Sequence, residues 1–238
     1  MLRLFTSTRG ISSWRERLSD PEKHWKRRYS AFEAAVSWEL AARSECGLPT
    51  EIGNILSEAG YLSPSLLQAI PEHKVDLPGG NAASQSDVWA LIDTAQGRLS
   101  LTVEAKANET FGAKSLGAWL VEPPEDKRSG REARWEYVRK HLPGQKPDQY
   151  RGVRYQLLHR CAAAVIEAQR WKLAHACFIV QAFCAPDESY AEFELFCGAL
   201  NCPTEKHRLA TTRVGDVTLS VGWVDSQFAT DEQIAAVV

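Results

Sequence analysis

No apolar run in this chain approaches the roughly 20 residues that a membrane-crossing helix needs, so a membrane span has no support. The first residues, Met1 to Ser13, hold no long apolar stretch of the kind that marks a secretory signal, and a cytoplasmic location is the expectation. The six cysteines (Cys46, Cys161, Cys177, Cys184, Cys197 and Cys202) form no CxxC pair. A zinc or iron–sulfur site therefore lacks its usual spacing, and reduced thiols acting as small hydrophobes are expected instead. The six histidines show neither HxH nor HExxH spacing, which removes the ligand set of a zinc hydrolase. GxSxG, GxGxxG and GxxxxGK[ST] are missing as well, and with them the esterase, dinucleotide-binding and nucleoside-triphosphatase readings. An excess of one charge is also lacking. At a formal net charge of -2 the chain is no polycation that would coat nucleic acid non-specifically.

What is present is ordinary for a globular protein: 238 residues, 44% of them hydrophobic, enough to bury the core of one domain. Basic residues gather at Lys23, Lys26, Arg27 and Arg28, and again at Arg128, Arg131, Arg134, Arg139 and Lys140. Such runs are either solvated faces or local phosphate contacts. Trp14, Trp25 and Trp38 are interleaved with basic residues and serve either as core anchors or as stacking platforms for bases.

Ser19-Asp20-Pro21 marks a helix start, with a pattern that runs to about Arg43 and breaks near Tyr29-Ser30. Shorter helices are predicted at Glu51–Glu58 and Pro64–Ile70. The texture then changes to strands at His73–Leu77, Asp87–Ile92 and Leu99–Ala107. Residues 108–150 are polar, broken by Pro123-Pro124, Ser129-Gly130 and Pro143-Gly144. They read as an insertion with a helix at Arg131–His141. A helix over Tyr155–Lys172, a buried strand over Ala176–Phe183 and an alternating strand over Asp216–Val224 follow; Ser189–Leu200 fits either helix or strand. The order predicts one α/β domain with a mixed sheet, its core at about residues 30–184.

Within Leu99–Ala107, period-2 alternation puts Thr102, Glu104 and Lys106 on one face and Leu101, Val103 and Ala105 on the other. A four-residue turn at Thr94–Gly97 then sets Asp87 opposite Glu104, with Cβ atoms about 4.5–5.5 Å apart. Two carboxylates that close repel unless a proton or cation neutralises them, and a hard cation such as Mg²⁺ takes oxygen ligands. Lys106, one pleat along, is placed to bind a phosphate or to orient and deprotonate an attacking water. On a helical wheel of residues 32–43, Phe32, Ala35, Val36 and Leu40 form an apolar stripe. Glu39 falls inside that stripe, whereas Glu33 lies at its edge. Glu39 is therefore the candidate for a further metal or water contact, unless it reaches solvent where the stripe ends.

These residues resemble the PD-(D/E)xK nuclease superfamily. The match is Ser86-Asp87 at the start of a strand, a hairpin, and Val103-Glu104-Ala105-Lys106 closing the next strand, with a carboxylate-bearing helix upstream. Tyr155-Gln156-Leu157-Leu158-His159-Arg160 is similar to the Gln-bearing helix of the RecB-type branch, although arginine stands where that branch often has tyrosine. Residue 86 is serine rather than proline.

The resemblance implies a restriction-endonuclease-like αβββαβ core with a mixed central sheet flanked by helices, plus the helical insertion. It implies that Asp87, Glu104 and the Ala105 carbonyl bind Mg²⁺ (Mn²⁺ substituting), with Lys106 serving the water. Gln156 and Arg160, four apart and so on one helical face, would reach a phosphate. The expected activity is phosphodiester hydrolysis in DNA rather than RNA, in defence against foreign DNA or in repair. A partner subunit or a second copy would help to grip the substrate. The alternative is a non-catalytic interaction or nucleic-acid-binding protein on the same fold, with Lys106 in a structural salt bridge to Glu104 or Asp87.

Overall fold

The computed structural model describes residues 10–122, 125–144 and 146–238, so the expected break at Pro123-Pro124 lies outside the described residues. Four helices come first: α1 (Ser12–Arg15), α2 (Pro21–His24), α3 (Ser30–Ala41) and α4 (Thr50–Glu58). Three strands follow, β1 (Ser65–Val75), β2 (Ser84–Asp93) and β3 (Leu99–Lys106). Then come α5 (Leu116–Val121), α6 (Glu125–Arg139), a 3-10 turn (Pro147–Tyr150) and α7 (Tyr155–Arg170). The chain closes with β4 (His175–Phe183), α8 (Asp187–Ala199), β5 (Leu209–Val214), β6 (Val217–Ser226) and α9 (Asp231–Val237). Among the described residues no helix is long and apolar enough to cross a membrane.

The strands form one six-stranded mixed open sheet in the order β1-β2-β3-β4-β6-β5. β1, β2 and β3 are an antiparallel meander, and β4 lies parallel to both β3 and β6. Apolar clusters cover the two faces. One gathers Leu157, Leu158 and Val165 of α7 and Phe193 and Phe196 of α8 over Phe178, Val180 and Val221. The other gathers Trp14, Phe32, Val36 and Trp38 with Ile52 and Leu56 over Val88, Ala90, Leu101, Val103 and Ile179. β3 is buried along its whole length, and its two faces divide as alternation predicts.

One expectation needs correction. Pro64–Ile70 is not a helix: it forms the first half of β1, because pairing with β2 satisfies its backbone whatever the local pattern of Leu66, Leu67 and Ile70. Pro71 is tolerated there because β1 is an edge strand. The stretch read as an insertion carries the expected helix, here α6, and contributes to the core. Phe111, Leu116, Trp135, Val138, Leu142 and Tyr150 are buried in the cluster under α7. The break expected near Tyr29-Ser30 is present: α2, capped by the Asp20 side chain at the Lys23 amide, ends at His24, and α3 starts at Ser30.

The loop after β1 also holds α6 against the domain. A Cβ on Gly79 (φ +78°) would meet the Gly130 carbonyl oxygen at 1.9 Å, so only glycine permits that approach. Arg134, buried, donates to the Leu77 and Pro78 carbonyls beside it.

The register of α7 on the sheet is set by two hydroxyls. Ser84 Oγ on β2 bonds the His159 carbonyl (3.1 Å) and lies 2.8 Å from its Nδ1, and Thr102 Oγ1 on β3 donates to the Arg160 carbonyl (3.2 Å). Burial, with Arg160 and Arg134 nearby, holds the His159 imidazole well below the usual histidine range. A histidine depressed in the folded state contributes stability that is present above its unfolded pKa of about 6.5 and lost as pH falls below it. In urea titrations, the stability advantage of the wild type over His159→Asn should shrink below about pH 6.5, by up to about 1.4 kcal/mol per pH unit. A difference that stays flat from neutral pH to pH 5 would refute this account of His159.

Candidate functional site

The pairing of β2 with β3 decides which side chains meet. The ladder runs from Ile92↔Leu99 to Val88↔Val103, the register expected from a four-residue turn, and one step further Asp87 stands level with Glu104. The turn closes on Thr94, whose Oγ1 donates to the Gly97 carbonyl (2.6 Å) and accepts from the Gln96 amide (3.2 Å). Asp87 is fixed by one oxygen: Oδ2 accepts the Ala105 amide at 2.6 Å. The Ala105 side chain sits on the far face with Ala34, Ala107 and Phe183, so only its backbone faces this site.

Glu104 is 2% exposed and gathers donors from two elements. Oε1 accepts from Lys106 Nζ (2.8 Å) and from Gln156 Nε2 (2.6 Å), and Oε2 accepts from Arg160 Nε (2.8 Å). Gln156 is oriented in turn by the Gly112 amide, which donates to its Oε1 at 2.7 Å. The Lys106 ammonium lies 5.2 Å from the centre of the Phe111 ring. Asp87, Glu104, Ala105, Lys106, Gln156 and Arg160 thus line one crevice of about 250 Å³. Its opposite wall is the segment running into α2 and α3, represented by Ser19, His24 and Ser30.

The electrostatics follow from burial and neighbours. Burial, then the carboxylates of Glu104 and Glu72, push the Asp87 carboxyl well above the usual range, against Lys106 and Arg160. Burial alone would raise Glu104 too, but the charges of Lys106 and Arg160 outweigh it and hold Glu104 low. Burial would likewise lower Lys106, yet Glu104 and Asp87 overcome it, so the amine stays an ammonium. Two carboxylates in one crevice are thereby driven apart, one neutralised by cations and one left strained.

Glu72 and Glu109 line the crevice without having been named from the sequence, and Glu72 is the one that lies on the sheet. It adopts a left-handed backbone (φ +53°) within β1, and its side chain lines the crevice, where Gln85 Nε2 donates to Oε2 at 2.6 Å. A non-glycine residue in that conformation costs about 1 kcal/mol or more and persists where surrounding contacts fix it. Burial pushes its carboxyl up to about 7, against the Gln85 hydrogen bond. Glu72 faces Asp87 in the register of β1 on β2, a signal visible only once residues 65–75 are read as a strand.

Glu39 is not in the crevice: it accepts the Trp14 indole N–H at 2.8 Å on the other face of the sheet. The wheel failed because α3 is buried around most of its circumference, so no narrow stripe singles out one carboxylate. Glu33, placed at the stripe's edge, is the more buried of the two and accepts the Arg28 and Ala229 amides, both at 2.7 Å. The second basic run is largely consumed by structure: Arg134 holds the β1 loop, Arg131 lies over Trp119, and Arg139 pairs with Glu136. Trp14 and Trp38 are core residues. All six cysteines are free, and no group of three or more His, Cys, Asp or Glu among the described residues is arranged to hold a metal ion as the side chains stand.

A family model described as "Domain of unknown function (DUF6946)" matches residues 7–228, and the chain belongs to that family. No curated protein and no solved structure matches the chain.

Opposite stability effects are expected from the two ends of this charge arrangement. Asp87→Asn keeps an acceptor for the Ala105 amide and removes the strained charge. In urea unfolding without divalent cations at pH 7 it should be stabilising, by about 1 kcal/mol. Lys106→Met strips a buried carboxylate of one cation and should cost about 2 kcal/mol or more. Loss of stability in Asp87→Asn would contradict the strain assigned to that carboxylate.

Proposed function

We propose that this chain is a divalent-cation-dependent nuclease of the PD-(D/E)xK type that hydrolyses phosphodiester bonds in DNA. One observation carries the reading: Asp87, Glu104 and Lys106 from two strands converge with Gln156 and Arg160 from one helix on a single crevice. The order of elements supports a restriction-endonuclease-like core, with a helix, the β1-β2-β3 meander, α7, and β4 returning parallel to β3.

The donor set suits a hard cation. Glu72, Asp87, Glu104 and Glu109 line the crevice with Lys106 and Arg160, so carboxyl oxygens outnumber fixed cations there, and a cation would favour the ionised form of each. Oxygen ligands of this kind match Mg²⁺ or Mn²⁺. Asp87 uses Oδ2 for the Ala105 amide and leaves Oδ1 without a protein donor among the described residues. Asp87, Glu104 and the Ala105 carbonyl would hold the ion, which supplies Lewis-acid polarisation of the scissile phosphate.

The protein's own groups do the rest. In the free protein Glu104 and Asp87 hold Lys106 as an ammonium, placed to orient the attacking water or a phosphate oxygen; with those two carboxylates holding a cation, that hold would weaken and let the amine take the water's proton. Gln156 fixes Glu104, and Arg160, which pairs with Glu104 at the crevice wall, would meet a phosphate there. The crevice is narrow, so grip on the rest of a DNA substrate falls to a partner subunit or second copy. Defence against foreign DNA or repair is the corresponding cellular role.

The saturation of Glu104 by Lys106, Gln156 and Arg160 favours a second reading, a nucleic-acid-binding or interaction protein in which the triad is a structural ion pair. Calorimetry with Mn²⁺ and a DNA cleavage assay on the same preparations separate the two. The nuclease reading expects cation binding that Asp87→Ala abolishes, and Mg²⁺-dependent cleavage reduced to background in both Asp87→Ala and Lys106→Met. Salt-dependent DNA binding with no cleavage under any divalent cation would replace it with the second reading.

A further inference from the structure

Glu104 is the carboxylate that a cation would need, and the charged group on its second oxygen comes from α7. Arg160 reaches it through Nε at 2.8 Å, and Nε is the only nitrogen of that side chain with a hydrogen bond among the described residues. Both groups are largely withdrawn from water, with 13% of the Arg160 side chain and 2% of the Glu104 side chain exposed. A guanidinium that pairs with a carboxylate at its best uses two parallel N–H groups; this one makes a single contact, through Nε. Its Nη groups remain for another oxyanion at the crevice wall. The backbone beneath it is anchored, because Thr102 Oγ1 donates to the Arg160 carbonyl, so a change of partner needs only side-chain rotation.

Glu104 has about four lone-pair positions, and three are occupied by Lys106, Gln156 and Arg160. A divalent cation arriving beside it meets two fixed positive charges and a carboxylate with little left to offer. A phosphodiester changes that balance, since a guanidinium matches phosphate oxygens as well as it matches a carboxylate.

We propose that Arg160 exchanges partners, holding Glu104 in the free protein and passing to a substrate phosphate, so that nucleic acid and divalent cation bind cooperatively. This rests on the nuclease reading and deepens it: cation and substrate are admitted together, and the substrate-free protein keeps its cation weakly. By linkage, whatever factor the nucleic acid adds to cation affinity, the cation adds to nucleic-acid affinity.

The test is Mn²⁺ calorimetry on wild type, Arg160→Gln and Arg160→Lys, with and without a short phosphorothioate oligodeoxynucleotide. Thermal melts confirm that each variant folds, and Arg160→Lys covers the case in which Arg160→Gln does not. In the absence of oligonucleotide, Arg160→Gln is expected to bind Mn²⁺ about tenfold more tightly than wild type, because a like charge beside the ligand is gone. The oligonucleotide should tighten Mn²⁺ binding in wild type, do so less in Arg160→Lys, and leave Arg160→Gln unchanged. Equal or weaker Mn²⁺ binding by Arg160→Gln, with the oligonucleotide effect intact, would overturn the exchange while leaving the nuclease reading in place. Mn²⁺ binding absent from every protein, or unaffected by Asp87→Ala, would overturn both.

Discussion

A carboxylate buried on the central strand of a sheet must be compensated, and the arrangement around Glu104 is that compensation. Its oxygens draw an ammonium from the same strand and an amide and a guanidinium from α7, each within 2.8 Å. Removing any of them leaves part of a charge uncompensated in a medium that solvates it poorly. The position of α7 over the sheet, the pairing of β2 with β3, and the packing of Phe111 against Lys106 all serve this one site.

The rest of the molecule makes that placement rigid. Apolar clusters press helices on both faces of the sheet, and the stretch between β3 and α7, polar in composition, is bound into one of them through Trp135, Val138 and Leu142. The close approach of Gly79 to Gly130 and the reach of Arg134 to two carbonyls tie that stretch to the end of β1. The same strand presents Glu72 in a left-handed conformation, so backbone strain lies beside Asp87, Glu104, Lys106 and Arg160. One of the left-handed residues of the chain thus sits at the crevice, beside carboxylates that burial and their neighbours perturb.

Local chemistry and shape agree on what the crevice can take. Carboxylates outnumber cations along its lining, which calls for an added positive charge before an anion can approach. Lys106 and Arg160 are both engaged with Glu104, and in the proposed nuclease they are the groups that would meet that anion. Under the proposed function, stability and activity would pull against each other: the charge on Asp87 that a cation would use is the one that burial and its neighbours disfavour.

The triad was legible in the sequence because it depends on short-range rules. Strand alternation put Glu104 and Lys106 on one face, a four-residue turn fixed their partner as Asp87, and helical spacing put Gln156 and Arg160 together. Each of these is a relation between residues close along the chain or joined by a single turn. Glu72, Glu39 and the role of residues 108–150 were decided by tertiary structure. Pairing along β1 overrode a helical pattern and turned Glu72 into the crevice. Burial of α3 from nearly all sides removed the stripe that had singled out Glu39. Contacts with α7 and with the end of β1 made core out of a stretch that composition marks as polar. The sequence by itself determined which side chains share a face and which strands lie opposite; only the tertiary structure decided which faces meet, because burial depends on contacts between residues far apart in the chain.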